Sequence, residues 1–583
     1  MGQLRYLVYT AMENRFFSLF VLFALVAGNN CQSQDDSILW HPPLDIPIYL
    51  AGNFGELRNN HFHTGLDMKT EGREGLPIRS TEEGYVSRIK VSPYGYGYAL
   101  YVQHPNGYTT VYGHMKVYNE EITQFTKDAQ YDLERFGVDL FPGPGQLPVE
   151  KGEVLGLSGN SGSSGGPHLH FEIRETDTES PVNPLLFNLE IKDDVPPQIN
   201  EVMIIPLNDS SWVNGARDSH RASVLGGSGK YSLSANAVSA IGKIGLAVDV
   251  IDKLNGFPNK CGIYTIKLFA NGELIYEQTM DKLCFDTNRY MNAHTVYPVN
   301  KAERKNFQRN YLLSNNGLDI YGVIRNRGKL NIRAGAQMDM RYEITDVAGN
   351  LSVLDFKLTG KAPGAIISAP KEQKGELMKY DTVNAFRSER CTVYLPEGRL
   401  YEDLYFEHKE SKGPQDALSM VHKIGDRGVP VHNEFILKIR TVDIPASKQG
   451  FALVATYNSK NGKLRAKGGK YKMGWMETRV KSFGSYCVVY DSIPPVIRNS
   501  TLRDSMKGKD SFSVTITDNL SGINEYRAEV NGQFILGAYD PKRARVTFEL
   551  ESARIHPSKK YEVVVSVKDE RGNEALYESS FTW

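Results

Sequence analysis

The chain has 583 residues, which at roughly 100–200 residues per domain predicts about three to five domains. Its 68 basic and 68 acidic residues cancel, so nothing in the charge points to nucleic acid or an anionic membrane surface as a partner. Charged residues make up 23% of the chain without a long run of one sign, and this composition excludes wholesale disorder.

At the N-terminus, Arg5 and Arg15 precede an apolar run from Phe16 to Ala27 that only Ser18 interrupts. The run is too short to span a bilayer and has the length of the apolar part of an export signal. Val26-Ala27-Gly28 offers small residues for cleavage, and a start at Met12 would tighten the signal. Residues 1–30 are therefore expected to be a signal peptide, with the mature chain in the periplasm or cell envelope. An uncleaved anchor or a buried helix is the alternative. Cys31 lies where an envelope lipoprotein carries its lipid, although Asn30 stands where such a protein has a small residue. In an oxidising compartment the remaining cysteines could pair as Cys261–Cys284 and Cys391–Cys487, or stay as buried thiols.

From residue 38 to 190 short β-rich runs alternate with Gly, Pro and Asn turns. The runs include "GYVSRIKV" (84–91), "YALYVQH" (98–104), "YTTVYGH" (108–114) and "HLHFEIR" (168–174). Asn106-Gly107 between two of them is a hairpin signal. The stretch 119–137 departs from this pattern. Ile122, Phe125, Ala129, Leu133 and Phe136 have helical spacing, with Gly137 as the expected C-cap. The insert 119–147 starts five residues after His114 and is expected to lie beside that histidine, as a lid over any cleft there.

Beyond residue 190 the chain repeats itself. "DDVPPQI" (193–199) matches "DSIPPVI" (491–497). Asp252, Gly262-Ile263, Asn271-Gly272 and "DVAGN" (346–350) follow the first; Asp518, Gly522-Ile523, Asn531-Gly532 and "DERGN" (569–573) follow the second in the same order. Short strands with turn signals at these intervals predict β-sandwiches. The fold class expected is mainly β: an antiparallel β-sheet domain with a helical insert over 38–190, then about three β-sandwich domains. These are a sandwich with insertions over 193–360, one of uncertain type over 361–490, and one over 491–583. Both repeat copies resemble the Ig-like modules of bacterial surface and periplasmic proteins.

Most of the 13 histidines, among them His41, His104, His294, His408 and His422, stand without a partner pattern and are expected to be surface or satisfied groups. Three places differ: "HTGLD" with His63 and Asp67, "VYGHM" with His114, and "PHLHFE" with His168 and His170. On a strand, residues i and i+2 face the same way, so His168 and His170 project together while Leu169 faces an apolar side. Two imidazoles on one face are costly to bury unless both find partners, and zinc or a nearby substrate would serve. His63 and Asp67 are four apart, and Gly65 between them argues for a turn rather than a helix. Two histidines and one aspartate would leave an open position, which is the catalytic arrangement of zinc. No HExxH is present, so a base must come from the remaining histidines. The "GNSGSSGGP" run before His168 reads as a shaped loop beside the cleft rather than a linker. Its Gly159, Asn160, Ser161 and Gly162 are the expected substrate contacts.

In these residues the chain resembles the lysostaphin/LytM-type zinc endopeptidases of bacterial cell walls. HxxxD appears as His63 to Asp67, the strand histidine as Tyr112-Gly113-His114, the glycine loop as "GLSGNSG", and HxH as His168-Leu169-His170. The resemblance covers residues 45–185. It implies one zinc ion held by His63, Asp67 and His170, with His114 and His168 as catalytic histidines. The implied substrate is the stem peptides or cross-links of peptidoglycan. His61 makes a second HxH with His63 and is read as a neighbour of the site. The insert 119–147 is longer than the connection usual in that family. The sandwiches are expected to position the enzyme on the wall or on other envelope proteins. The rival readings are a non-catalytic cell-wall-binding or amidase-regulating protein that uses the same cleft, and an adhesion protein in which the sandwiches carry the function.

Overall fold

A computed structural model describes residues 40–362 and 373–583. The expected signal peptide and Cys31 lie outside the described residues. In chain order the first domain contains β1 (Leu50–Gly52), β2 (Leu66–Lys69), β3 (Pro77–Arg79), β4 (Gly84–Val91), β5 (Tyr98–Gln103), β6 (Tyr108–Met115) and β7 (Val117–Tyr118). Helix α1 (Glu120–Asp132) follows, then β8 (Val138–Leu140), β9 (Pro148–Val149), β10 (Val154–Leu157), β11 (His168–Glu175) and β12 (Pro181–Val182). The main sheet is antiparallel in the order β1-β2-β11-β6-β5-β4-β8, and β3-β10-β7 form a three-stranded sheet. Alternation along the strands decides the faces. Leu66, Met68, Leu169, Phe171 and Ile173 are fully buried on one side, while Asp67 and His170 are direct register partners on the other.

The helix differs from the sequence expectation. It ends at Asp132, and Glu134 (φ 46°), not Gly137, takes the left-handed conformation after it. Its buried positions are Ile122, Thr126 and Gln130, while Leu133 is 50% exposed. Thr126 and Gln130 tolerate burial because each bonds backbone: Thr126 Oγ1 donates to Ile122 O at 2.7 Å and Gln130 Nε2 to Phe136 O. The outer side of α1 receives the last sandwich. Lys127 Nζ sits 2.6 Å from Glu549 and 2.7 Å from Glu551. Arg554 bonds Asp128 at 2.7 Å and lies 4.1 Å above the Tyr131 ring, which also meets Phe534. No residue of 119–147 is among those lining the main cleft. The insert thus docks the C-terminal sandwich through the outer side of α1, with Leu133 and Phe141 left exposed.

The three following domains are β-sandwiches. In the first, the 22-residue strand Lys230–Ile251 pairs with both Gln198–Pro206 and Leu351–Thr359, joining two layers around Val202, Leu246, Ile266 and Ile344. The second closes two five-stranded sheets over Val393, Leu437 and Val488. The third closes two four-stranded sheets over Val514, Ile516 and Val565. The repeat is structural as well: Asn350 Nδ2 donates to Asp193 O and Asn573 Nδ2 to Asp491 O, each at 3.0 Å.

Cys261, Cys284, Cys391 and Cys487 are free thiols, the unpaired of the two alternatives. Strand alternation prevents the second pairing. Cys391 faces the core between the two sheets, whereas Cys487, between Tyr486 and Val488, points to the opposite face and packs with Leu453 and Val489.

The first sandwich is bolted to the first domain through buried polar groups. Asn53 Nδ2 donates to Gly262 O at 2.9 Å, and Gly262 N donates to Asn53 Oδ1 at 2.7 Å. Phe62 N donates to Asn288 Oδ1 at 2.6 Å, and Asn183 Nδ2 to Met280 O at 3.0 Å. Gly262 must be glycine, since a Cβ would come within 2.9 Å of the Glu56 nitrogen.

Candidate active site

His170 lies opposite Asp67 on β2 and opposite Gly113 on β6, so one register brings three sequence motifs together. His63 arrives from the turn before β2. A residue with a side chain could not replace Gly65 in that turn, because its Cβ would lie 2.4 Å from Phe171 O. The result is a tight convergence: His63 Nε2 and His170 Nδ1 are 3.1 Å apart, and Asp67 Oδ1 is 3.1 Å from the first and 2.9 Å from the second. All three residues are buried.

The outer nitrogen of each imidazole identifies its tautomer. His63 Nδ1 lies 2.8 Å from Asn53 O, and a carbonyl only accepts, so Nδ1 carries the hydrogen. His170 Nε2 lies 2.8 Å from the Glu172 carboxylate, which likewise makes it the donor. With the outward hydrogens so committed, the inner nitrogens of two imidazoles and a carboxylate oxygen face one point, and a cation bound there displaces any proton held between them. Such a donor set fits a cation, and the outward bonds to Asn53 and Glu172 are the partners that metal-binding histidines use. Asp67 offers only Oδ1 to that point, because Arg58 Nη2 holds Oδ2 at 2.8 Å.

Charge follows the same geometry. Burial raises Asp67, but hydrogen bonds from His168, His170 and His63 outweigh it and hold the carboxyl well below its usual range. Burial lowers His63. Burial opposes charge on His170 too, but Asp67 and Glu172 on its two nitrogens outweigh burial and take it up to about 9. Glu172, fully buried, is kept ionised against burial chiefly by Arg174, whose Nε is 2.6 Å from Oε2. Thr64 Oγ1 at 2.6 Å and Tyr96 Oη add two more donors to Glu172.

The two remaining histidines flank this point. His114 has φ 60°, a strained conformation for a residue with a side chain, and its own backbone N–H to Tyr96 O at 2.8 Å holds it there. Its Nδ1 donates to Ser161 O at 2.9 Å, leaving Nε2 bare. Burial, with His170 and His168 close by, lowers its pKa to about 3, so it is neutral at neutral pH. His168 Nδ1 donates to Gly166 O at 2.8 Å, and its Nε2 is 3.4 Å from Asp67 Oδ1. The His114 and His168 ring centroids are 4.8 Å apart.

All five sequence-picked residues meet here. The glycine loop divides into two parts. Gly159 and Gly162 back onto Lys116 and Gly95–Gly97 so closely that no Cβ fits, and Ser161 Oγ donates to Met115 O at 2.7 Å while Ser161 O accepts from His114. Of the expected substrate contacts Gly159, Asn160, Ser161 and Gly162, Ser161 holds His114, and the loop residues that line the cleft are Gly165, Gly166 and Pro167. Lys542 of the last sandwich caps the loop, donating to Asn160 O and Ser164 O. The cleft itself, about 810 Å³, runs from Asp67 and His168 past Arg58 and Lys69 to Phe257 of the first sandwich. Phe257 packs on Tyr49 at 4.6 Å and under Lys69 Nζ at 4.1 Å. Sequence reasoning missed Asn53, Arg58, Tyr96, Glu172 and Arg174. Only Glu172 and Arg174 carried a signal, being two and four residues beyond His170 on one strand face. It also took His408 and His422 as isolated, but they come together with Cys391 inside the second sandwich.

Residues 61–130 and 144–184 match the family model described as Peptidase family M23. The first domain is a Peptidase family M23 domain. The gap between the two matched segments falls within the insert. Residues 375–491 match a Zu5-like domain, which gives the sandwich of uncertain type its kind. Among relatives of the M23 domain, the DD-carboxypeptidase/endopeptidase Mpg of Neisseria meningitidis is 32% identical over 123 residues, 21% of this chain and 22% of Mpg. The peptidoglycan DD-endopeptidase ShyA of Vibrio cholerae is 30% identical over 160 residues, 26% of this chain and 31% of ShyA. The chain thus spans less than a third of the length of these curated relatives. The catalytic domain of EnpA from Enterococcus faecalis is 25% identical, covering 24% of this chain and 89% of that one, with a TM-score of 0.18.

Proposed function

We infer that this protein is an exported zinc-dependent endopeptidase that hydrolyses peptide cross-links or stem peptides of peptidoglycan. His63, Asp67 and His170 would hold the ion. Zinc with three protein ligands and an open position supplies Lewis acidity to a scissile amide and to the water that attacks it. The chain's own residues do the rest. Asn53 and Glu172 fix the ring orientation of the two histidine ligands. Neutral His114 accepts the proton of the attacking water at Nε2, its only bare nitrogen, with Nδ1 anchored on Ser161 O. His114 passes that proton on to the leaving amine, and His168, anchored at Nδ1 on Gly166 O, faces the developing oxyanion from the other side. The strained backbone of His114 and the glycine support behind it keep that ring in place. Gly165 and Gly166, free of side chains at the cleft, allow a peptide backbone to approach His168.

The observation that carries this reading is the pair of imidazoles whose ring hydrogens are committed outward, 3.1 Å apart across a buried carboxylate. The substrate class rests on the name of one relative, the peptidoglycan DD-endopeptidase ShyA. Digestion of purified peptidoglycan, with mass spectrometry of the released fragments, tests it. Release of cross-link-cleaved fragments by the zinc-loaded protein and none by its His114→Ala variant is expected. Wall binding without any release would return the protein to the regulator reading.

A further inference from the structure

The sequence repeat places an aspartate at three matching positions in each copy, and the peptidase uses none of them. The fold gathers each trio. Carboxylate oxygens of Asp193, Asp252 and Asp346 lie within 4.8 Å of one another, as do those of Asp491, Asp518 and Asp569. Their placement is the same in both sandwiches. Asp193 and Asp491 sit on the segment entering the sandwich. Asp252 and Asp518 follow the strands ending at Ile251 and Thr517. Asp346 follows the strand ending at Thr345, and Asp569 closes the strand from Tyr561. Each trio therefore ties the incoming linker to two strand ends.

Burial makes these trios unlike surface acidic patches. Asp252 is 2% exposed and Asp491 1% exposed, yet the Oδ1 of each has no hydrogen-bond partner among the described residues, nor has Asp518 Oδ1. An unsatisfied carboxylate oxygen at that depth is costly. The third aspartate is presented by the asparagine of its D-x-x-G-N turn. Asn350 N and Nδ2 bond the two Asp346 oxygens, each at 2.9 Å, and Asn573 N and Nδ2 bond those of Asp569 at 2.9 and 2.7 Å. Among the described residues no basic side chain offsets the first trio, and burial with repulsion from Asp193 and Asp346 pushes the Asp252 carboxyl up to about 8. Three carboxylates at one buried point with open oxygens are what a multivalent cation neutralises.

We propose that each repeat-bearing sandwich binds one calcium-class divalent cation through its three aspartates, at the end where the chain enters. The donors are all oxygens, which suits a hard ion rather than one that prefers imidazole or thiolate, and irregular carboxylate geometry suits calcium better than the octahedral magnesium shell. The first site also reaches the peptidase. The trio lines a cavity of about 120 Å³ together with Asn53 and Gly262. Asn53 is the residue whose carbonyl fixes His63. An ion there braces the junction that aims one of the peptidase histidines. The second braces the join between the Zu5-like domain and the last sandwich, where Asn573 reaches back to Asp491 O.

The test is a calcium count on the full chain. The protein is treated with EGTA, desalted, and titrated with calcium chloride by equilibrium dialysis, with circular dichroism to verify folding. Two calcium ions per chain are expected, falling to one in Asp252→Asn, one in Asp518→Asn and none in the double variant. The two ions should persist in His170→Ala, which separates this count from the peptidase site. Calcium should also raise the Tm of the wild type and leave that of the double variant unmoved. Should a variant fail to fold, the wild-type count and its Tm shift decide. A folded wild type that binds no calcium at about 10 mM, ten times the weakest affinity of extracellular modules, overturns the proposal. So does an undiminished count in the folded single variants, or filling of the sites by magnesium in preference to calcium.

Discussion

Glu172 is the residue on which the geometry of the site turns, and replacing it by glutamine tests that. Glu172 is fully buried and accepts from His170, Thr64, Tyr96 and Arg174. In Glu172→Gln the new amide can keep one acceptor oxygen but must also place an NH₂ group among four donors, and it leaves the 5% exposed Arg174 with only the longer pairing to the exposed Glu179 at 3.7 Å. Breaking a buried ion pair from one side costs about 3–5 kcal/mol, which in a domain of this size lowers the transition of the first domain by roughly 10 °C. Separately, His170 loses the carboxylate that fixes its Nε2 hydrogen. Removing such an outer partner weakens metal binding about 10–100-fold. The two effects are read independently: a thermal melt gives the first, and competition with a zinc-sensitive chelator, run well below the melt, gives the second. A folded Glu172→Gln protein that holds zinc as tightly as the wild type would refute the orienting role, whatever its Tm.

The metal and proton roles should separate by mutation. His170→Ala and Asp67→Ala lose bound zinc by elemental analysis, whereas His114→Ala and His168→Ala keep most of it yet lose about 10²–10⁴-fold in activity; a His168→Ala protein as metal-poor as His170→Ala would reverse the assignment. Phe257→Ala removes a wall of the cleft contributed by the first sandwich, and should raise KM for peptides without altering zinc content or kcat. Lys127→Glu sets a third acidic group against Glu549 and Glu551, and limited proteolysis should then cut near residue 491 faster than in the wild type. His294 is buried between Gln308 and Tyr321, and burial lowers its pKa to about 4. Below pH 6.5 the unfolded chain takes up a proton that the native one refuses, so stability is full above pH 6.5 and falls by up to about 3 kcal/mol as pH drops toward 4. In His294→Gln the Tm should be flatter over that window.

Whatever depends on short spacing could be read from the chain alone. The strands 84–91, 98–103, 108–115 and 168–175 were legible because a two-residue period and turn residues are local properties. The local shapes of the motifs were legible, HxxxD as a turn and HxH as one strand face, while the joining of His63, Asp67, His114, His168 and His170 in one site was what the family resemblance implied. The repeat marked two sandwiches before any contact was known. What depends on partners distant in sequence was not legible. The helix stripe was misread because Thr126 and Gln130 can be buried by bonding to backbone, which hydropathy does not register. The docking of the insert was hidden because Glu549, Glu551 and Arg554, which meet α1, lie more than 400 residues away. Neither disulfide forms, since the face on which a cysteine points depends on strand register. Asn53, a lone asparagine in the sequence, reaches both His63 and Gly262 only once two domains have packed together. Folding settled these features because each sets the desolvation of a polar group against partners that only the folded chain brings within 3 Å.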